Sequence, residues 1–226
     1  DRAGGSAVPN AAGVVVAGGK DNTVGGLGAG ARNVVSGNLN VGIALNNCFL
    51  GPFADRNLVA GNYVGTDATG TRSVGNGGGI GGNFPERYLP SRGGVYCDGS
   101  YNTIGGAAQG AGNVISGNRG VGVLARGQVT SVVPARGFAT TIQGNFIGTD
   151  ASGTAPLGNL TAPVPAQFFA PNQGGIVTIR TYQGTIGGTA AGEANIIANN
   201  DGPGVDADLA TPLLSNSIYA NGGPGI

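Results

Sequence analysis

Residues 58–67 read LVAGNYVGTD, and residues 141–150 read TIQGNFIGTD. The second phrase restates the first eighty-three residues later, from position 58 to position 141, with an Asn two places before a branched apolar residue each time. Self-similarity at a fixed period is the signature of solenoids, propellers and arrays, so this repetition decides the fold.

Around these phrases three apolar stations recur in one order. The third station is NVVSGN from Asn33, NYVGTD from Asn62, NVISGN from Asn113, NFIGTD from Asn145, NIIANN from Asn195 and NSIYAN from Asn216. A second station precedes it each time: NTVGG at Asn22, NLVAG at Asn57, NTIGG at Asn102, TIQG at Thr141, TIGG at Thr185 and PLLS at Pro212. Before that comes a first: VVVAGG at Val14, GIAL at Gly42, GVYC at Gly94, GVLA at Gly122 with a one-residue slip, GIVTI at Gly175 and GVDAD at Gly204.

Segments of four to six residues bounded by Gly and Asn cannot bury an apolar face alone, so they must stack on copies of themselves. A helical reading fails because Gly interrupts every segment, and each interior Gly costs a helix ~1 kcal/mol against Ala. A sandwich would alternate antiparallel hairpins; three unlike stations in constant order demand a parallel coil. The expectation is an all-β, single-stranded parallel β-helix of about six turns with three short strands per turn. The crossover rule makes it right-handed. Residues 1–226 form one such domain, with protruding insertions at about 66–92 and 149–173.

Composition agrees and excludes. The chain has 48 Gly in 226 residues, no His, Met or Trp, and eleven basic against eleven acidic residues. Abundant Val, Ile and Leu separate it from collagen and from disordered linkers. Net neutrality leaves no field to gather nucleic acid, and no apolar run approaches the ~20 residues of a membrane span.

The Asn of the third station has an expected task. Asn tolerates the left-handed backbone region at a corner, and its amide can donate to one copy and accept from another. Asn33, Asn62, Asn113, Asn145, Asn195 and Asn216 are therefore expected to form one ladder.

The phrases NTIGGAAQGAGNVISGN and GNFIGTDASGTAPLGN resemble the right-handed β-helix repeat segments of large secreted and surface-attached bacterial proteins, related in fold to pectate lyases. The resemblance runs from about Val14 to the last residue. It implies the fold strongly and the activity hardly at all, since such repeats serve adhesive or structural roles while enzymes of the fold carry added catalytic residues. It departs from that pattern at the insertions GNGGGIGGNFPERYLPSR and LTAPVPAQFFAPNQ and in the worn sixth turn. The insertions bring Phe84, Tyr88, Phe168 and Phe169 to one side of the solenoid, as a surface for contact or as a lid over their own coil.

Catalytic chemistry has few candidates. Without His the usual proton shuttle is missing. Asp206 and Asp208 alternate along one strand face, with Arg180 and Arg126 at comparable stations on earlier turns; polysaccharide lyases of this fold resemble that picture, with acidic calcium ligands and an Arg base. The other reading of these charges is that they solubilise the surface. No cofactor is expected, calcium being the one ion left open. Asp67 and Asp150 read as turn residues whose carboxylates accept N–H bonds. Cys48 and Cys97 fall on neighbouring turns, as a disulfide suited to an extracellular setting or as two separate thiols. NLT at Asn159 matches a glycosylation acceptor.

Two function classes follow. One is a non-catalytic extracellular or cell-surface protein, a β-helical subunit of a fibre or adhesion module that stacks head to tail with itself and meets cell-surface polysaccharide. The other is a polysaccharide lyase or epimerase. The first is expected because the three-station repeat runs through every turn and no convergent cluster of acids and bases appears; both terminal edges read as uncapped, so that the chain is either a piece of a longer solenoid or a stacking subunit.

Overall fold

The computed structural model describes residues 6–46, 53–78, 93–127, 139–160, 174–179, 184–208 and 211–225. Among them, each pass of the chain lays down three strands, which pair in parallel with the copies before and after. Sheet A stacks Val14–Ala17, Val41–Asn46, Gly93–Asp98, Val121–Arg126, Ile176–Ile179 and Val205–Ala207. Sheet B stacks Thr23–Gly25, Leu58–Ala60, Thr103–Gly105, Thr141–Gln143, Thr185–Gly187 and Leu213–Leu214. Sheet C stacks Val34–Val35, Tyr63–Val64, Val114–Ile115, Phe146–Ile147, Ile196–Ala198 and Ser217–Tyr219. The chain is a right-handed parallel β-helix of six rungs.

Register follows from which side chains must point inward. Ile43, Val95, Val123, Ile176 and Val205 lie in one column of sheet A. Val59, Ile104, Ile142 and Ile186 form a column in sheet B, and Val64, Ile115, Ile147 and Ile197 one in sheet C. These side chains make a single core that is almost wholly shielded from water. Fully burying one such side chain is worth ~1.5–3 kcal/mol, so a strand of two or three residues holds only because its neighbours complete the burial. The slip expected at Gly122 is absent, because Val123 pairs with Val95 and keeps Gly122 level with Gly94. Glycine is required in that column: a Cβ on Gly94 would lie 2.5 Å from Gly122 O and 2.6 Å from the Ile115 side chain.

The structural repeat is two rungs. In rungs 1, 3 and 5 the chain reaches sheet C through the loops 26–32, 106–112 and 188–194, whereas rungs 2, 4 and 6 turn that corner in one residue, Gly61, Gly144 or Ser215. Rungs 2 and 4 instead place a loop after sheet C, so that Asn62 and Asn76, and Asn145 and Asn159, stand fourteen residues apart where Asn113 and Asn118 stand five apart. Each loop leans over the short corner of the adjoining rung: Gly61 N donates to Ala111 O at 2.9 Å, and Gly26 N to Ala60 O at 2.8 Å. The two GTD loops meet across rung 3, where Ala151 N donates to Gly70 O at 2.9 Å. This alternation is why the opening phrase recurs after two turns rather than one.

The protrusions expected at 66–92 and 149–173 are each interrupted. Asn76 and Asn159 are buried and return the chain to the stack before residues 79–92 and 161–173, which lie outside the described residues.

Candidate functional site

The buried polar groups of the solenoid converge on its three corners. Between sheets B and C, Asn33 Nδ2 donates to Asn62 Oδ1 at 2.9 Å, Asn62 to Asn113 at 3.1 Å, and Asn113 to Asn145 at 2.9 Å. Asn145 then donates to Asn195 at 3.0 Å, and Asn195 to Asn216 at 2.8 Å. Each backbone N–H in the series reaches the same oxygen, as Asn113 N does to Asn145 Oδ1 at 3.1 Å. The second amide hydrogen goes back one rung, from Asn62 Nδ2 to Val24 O at 2.8 Å and from Asn113 Nδ2 to Val59 O at 2.8 Å.

Two further ladders stand at the other corners, and sequence reasoning missed both. Between sheet C and the next strand of sheet A, Asn10 donates to Asn38 at 3.3 Å, Asn38 to Asn76 at 2.8 Å and Asn76 to Asn118 at 2.9 Å. The series continues from Asn118 to Asn159, Asn159 to Asn200 and Asn200 to Asn221, each at 2.9 Å. The signal was present in the closing Asn of NVISGN and its copies. Between sheets A and B, Asn22 donates to Asn57 at 3.0 Å and Asn57 to Asn102 at 3.1 Å. That run stops where rung 4 substitutes Thr140, whose hydroxyl lies 3.6 Å from Cys97 Sγ.

The backbone reason expected for these Asn residues is corrected. None of them adopts positive φ; the left-handed residue is the one before, Gly61 at 70°, Gly117 at 69°, Gly144 at 70°, and also Arg56 at 55° and Tyr101 at 59°. Where a loop delivers the chain to the corner, as at Asn113 and Asn159, the preceding residue keeps ordinary φ. A single residue turning the corner must go left-handed; the Asn that follows does not, and its amide stacks along the axis.

Asn159 is buried, with Nδ2 bonded to Ile115 O and to Asn200 Oδ1, both at 2.9 Å. A glycan on that nitrogen is incompatible with the folded chain.

Cys97 is a free thiol pointing into the core, and it accepts from Asn102 Nδ2 at 3.3 Å. Cys48, the other member of the pair read as a disulfide or as two separate thiols, lies outside the described residues. Burial, with lesser contributions from Asp98 and Asp55, pushes the thiol up to about 12 against the lowering effect of Thr140 and Asn102.

The candidate catalytic residues do not share one column. Asp206 is exposed beside Val177, and Arg126 is exposed in the neighbouring column, level with Asp98 and Ile179. Asp208 is half-buried, its N–H donating to Thr178 Oγ1 at 3.2 Å. Arg180, Phe84, Tyr88, Phe168 and Phe169 lie outside the described residues. The outer face of sheet A is itself buried at Ala44, Tyr96, Leu124 and Val177. Tyr96 Oη donates to Asp98 Oδ2 at 3.1 Å, and burial followed by the charge of Asp98 raises the phenol well above its ordinary range. Among the described residues no group of three or more His, Cys, Asp or Glu side chains could hold a metal ion.

Asp67 and Asp150 brace the GTD loops. Asp67 Oδ1 accepts from Thr71 N at 3.0 Å and Thr69 Oγ1 at 2.9 Å; Asp150 Oδ1 accepts from Ser152 Oγ at 2.6 Å and Ala155 N at 3.1 Å.

The ladders share one direction. In every Asn-to-Asn bond the donor lies on the lower rung and the acceptor on the higher. Consequently, among the described residues, nothing donates to Oδ1 of Asn10, Asn22 or Asn33, and nothing accepts from the backbone N–H of Asn216 or Asn221. Charge is sorted the same way. Residues 184–226 contain Glu193, Asp201, Asp206 and Asp208 and no Lys or Arg, while residues 6–38 contain Lys20, Arg32 and Asp21. Comparison with protein-family models, curated proteins and solved structures finds no match.

Proposed function

We propose that this chain is a non-catalytic structural protein of the cell exterior, a β-helical subunit of a surface fibre or adhesion module that stacks head to tail. Repeats of this kind, in a pectate-lyase-like fold, suit large secreted and surface-attached bacterial proteins, with cell-surface polysaccharide as a contact. The carrying observation is the uniform direction of the ladders. At the B–C corner Asn33 on rung 1 offers an amide oxygen where Asn216 on rung 6 offers an N–H, so two copies in line continue that ladder, while two copies face to face set like against like. An acidic last rung with Asp206 and Asp208 meeting a first rung whose Lys20, Arg32 and Asp21 leave one net positive charge adds attraction.

Head-to-tail contact repeats without closing, which yields a filament. Six rungs at ~4.8 Å give an axial repeat of about 29 Å. Sedimentation velocity at low salt should show mass rising with concentration, weakened in 1 M NaCl as screening shortens the attraction, and negative-stain images should show that repeat. A single monomer boundary at every concentration would sink the reading.

The alternative, a polysaccharide lyase or epimerase, draws on one observation: Arg126 stands level with Asp98, which holds Tyr96, on the outer face of sheet A. It requires turnover of pectate or alginate with calcium present, abolished by Arg126→Ala; inert polymers would remove it.

A further inference from the structure

Two demands of the fold meet at residues 76 and 77 and write a reactive dipeptide. Residue 77 has to be glycine, because its φ of 93° is left-handed and a Cβ there would run into Arg119 O. Residue 76 has to be asparagine, because it carries the ladder from Asn38 to Asn118. Among the asparagines of the three ladders only Asn76 and Asn221 precede glycine.

Asn-Gly is the pair in which a chain most readily attacks its own side chain. The glycine nitrogen, with no Cβ beside it, bonds to the asparagine Cγ; a five-membered imide closes, and the side-chain nitrogen leaves as ammonia with the proton the backbone N–H gives up. Water then opens the imide at either carbonyl, leaving aspartate or isoaspartate.

The stack holds both reacting groups still. Asn76 is wholly buried; its Oδ1 accepts from Asn38 N and Nδ2 at 3.1 and 2.8 Å, and its Nδ2 donates to Val35 O and Asn118 Oδ1, both at 2.9 Å. Gly77 N, the attacking atom, donates to Asn38 O at 2.9 Å. With the carboxamide fixed from the rungs on either side and water excluded, ring closure requires rungs 1 to 3 to part at this corner.

We propose that Asn76–Gly77 is a deamidation site, reactive in the open chain and blocked in the stack, and that a chain converted there is shut out of the native fold. A carboxylate at position 76 still accepts from Asn38, but Val35 O and Asn118 Oδ1 lose their side-chain donor and face an oxygen, and a charge so buried is costly without a partner. Isoaspartate also adds a carbon to the backbone, which moves Gly77 out of its column.

The test ages the 226-residue chain in mildly alkaline buffer, native and in guanidinium, and follows each asparagine by tandem mass spectrometry. In guanidinium Asn76 should convert ahead of the ladder asparagines that precede Val, Leu, Ile or Phe; in the native protein it should convert at least a hundredfold more slowly. Asn118→Ala removes the acceptor on rung 3 without touching the dipeptide. Circular dichroism checks its fold, and its native rate should rise at least tenfold while its rate in guanidinium stays unchanged; should it not fold, the native-to-denatured ratio of the unaltered chain decides alone. Aged chains diluted from guanidinium and sized by gel filtration should show the converted form depleted at least tenfold from the folded peak. Equal rates in buffer and guanidinium, or a folded Asn118→Ala that ages no faster, overturn the block. Converted chains that refold as often as intact ones overturn the exclusion, and an Asn76 that stays intact in guanidinium overturns the site itself.

Discussion

Asn113 and Asn145, on consecutive rungs, are joined twice: Asn113 Nδ2 and Asn113 N both donate to Asn145 Oδ1, at 2.9 and 3.1 Å. Both residues are fully buried, and Asn62 reaches Asn113 by the same pair of bonds. Asn113→Ala therefore strips Asn62 N of its acceptor and takes one partner each from Asn62 Nδ2, Asn145 Oδ1 and Val59 O, at ~1–3 kcal/mol for a buried group so stranded. The same loss is expected for Asn118→Ala in the neighbouring ladder. Asn216→Ala, at a half-exposed end, should cost less. Urea denaturation of the three variants measures the gradient, and equal small losses at all three sites would mean the ladders do not hold the stack.

The acid limb of stability should depend on the GTD loops. Burial alone would raise the Asp67 carboxyl, but the Thr69 hydroxyl and the N–H groups of Thr71, Arg72 and Thr69 outweigh it and lower the group; the Ser152 hydroxyl leads the lowering of Asp150, opposed by burial and helped by three N–H groups. A carboxylate lowered in the folded state stabilises fully above its unfolded value of ~3.9, and that contribution is lost as pH falls through the folded value. Stability should decline below about pH 4, and the decline should be shallower in the Asp67→Asn, Asp150→Asn double variant. Urea midpoints between pH 2 and pH 6 decide it; identical acid limbs would rule it out.

Cys97 should be silent toward thiol reagents while the chain is folded. The thiolate is the reactive form, and burial pushing this thiol up to about 12 leaves almost none of it at pH 8. In a Cys48→Ser variant, Ellman's reagent should find no thiol in the native protein and one per chain in guanidinium. Rapid native labelling would show that the core opens at rung 3.

Expression through a eukaryotic secretory pathway should leave Asn159 bare. Its amide nitrogen is committed to Ile115 O and Asn200 Oδ1 within the stack. Mass spectrometry before and after endoglycosidase should agree. A glycan at Asn159 on correctly folded material would contradict the ladder at that rung.

Strand order, the three-station turn, the inward columns and the B–C ladder were legible in the sequence, because each arises from a local pattern repeated in order: apolar residues between Gly and Asn, six times over. The fate of NLT at Asn159 and of Cys97 was not legible, since a sequon and a thiol look alike on either face of a strand until register fixes their aim. The closing Asn of each NVISGN phrase was visible too, but fourteen residues separate its copies from the opening Asn in rungs 2 and 4 and five in the others, which hides the column. Only the tertiary structure, by folding those extra residues out as loops and returning Asn76 and Asn159 to the axis, made the second ladder continuous. The sequence by itself determined that the chain would coil, since short apolar strands have no burial except on their own copies. Tertiary structure alone decided that every corner amide points the same way, because an amide's direction is set by the rung above and the rung below it, and no single rung contains that information.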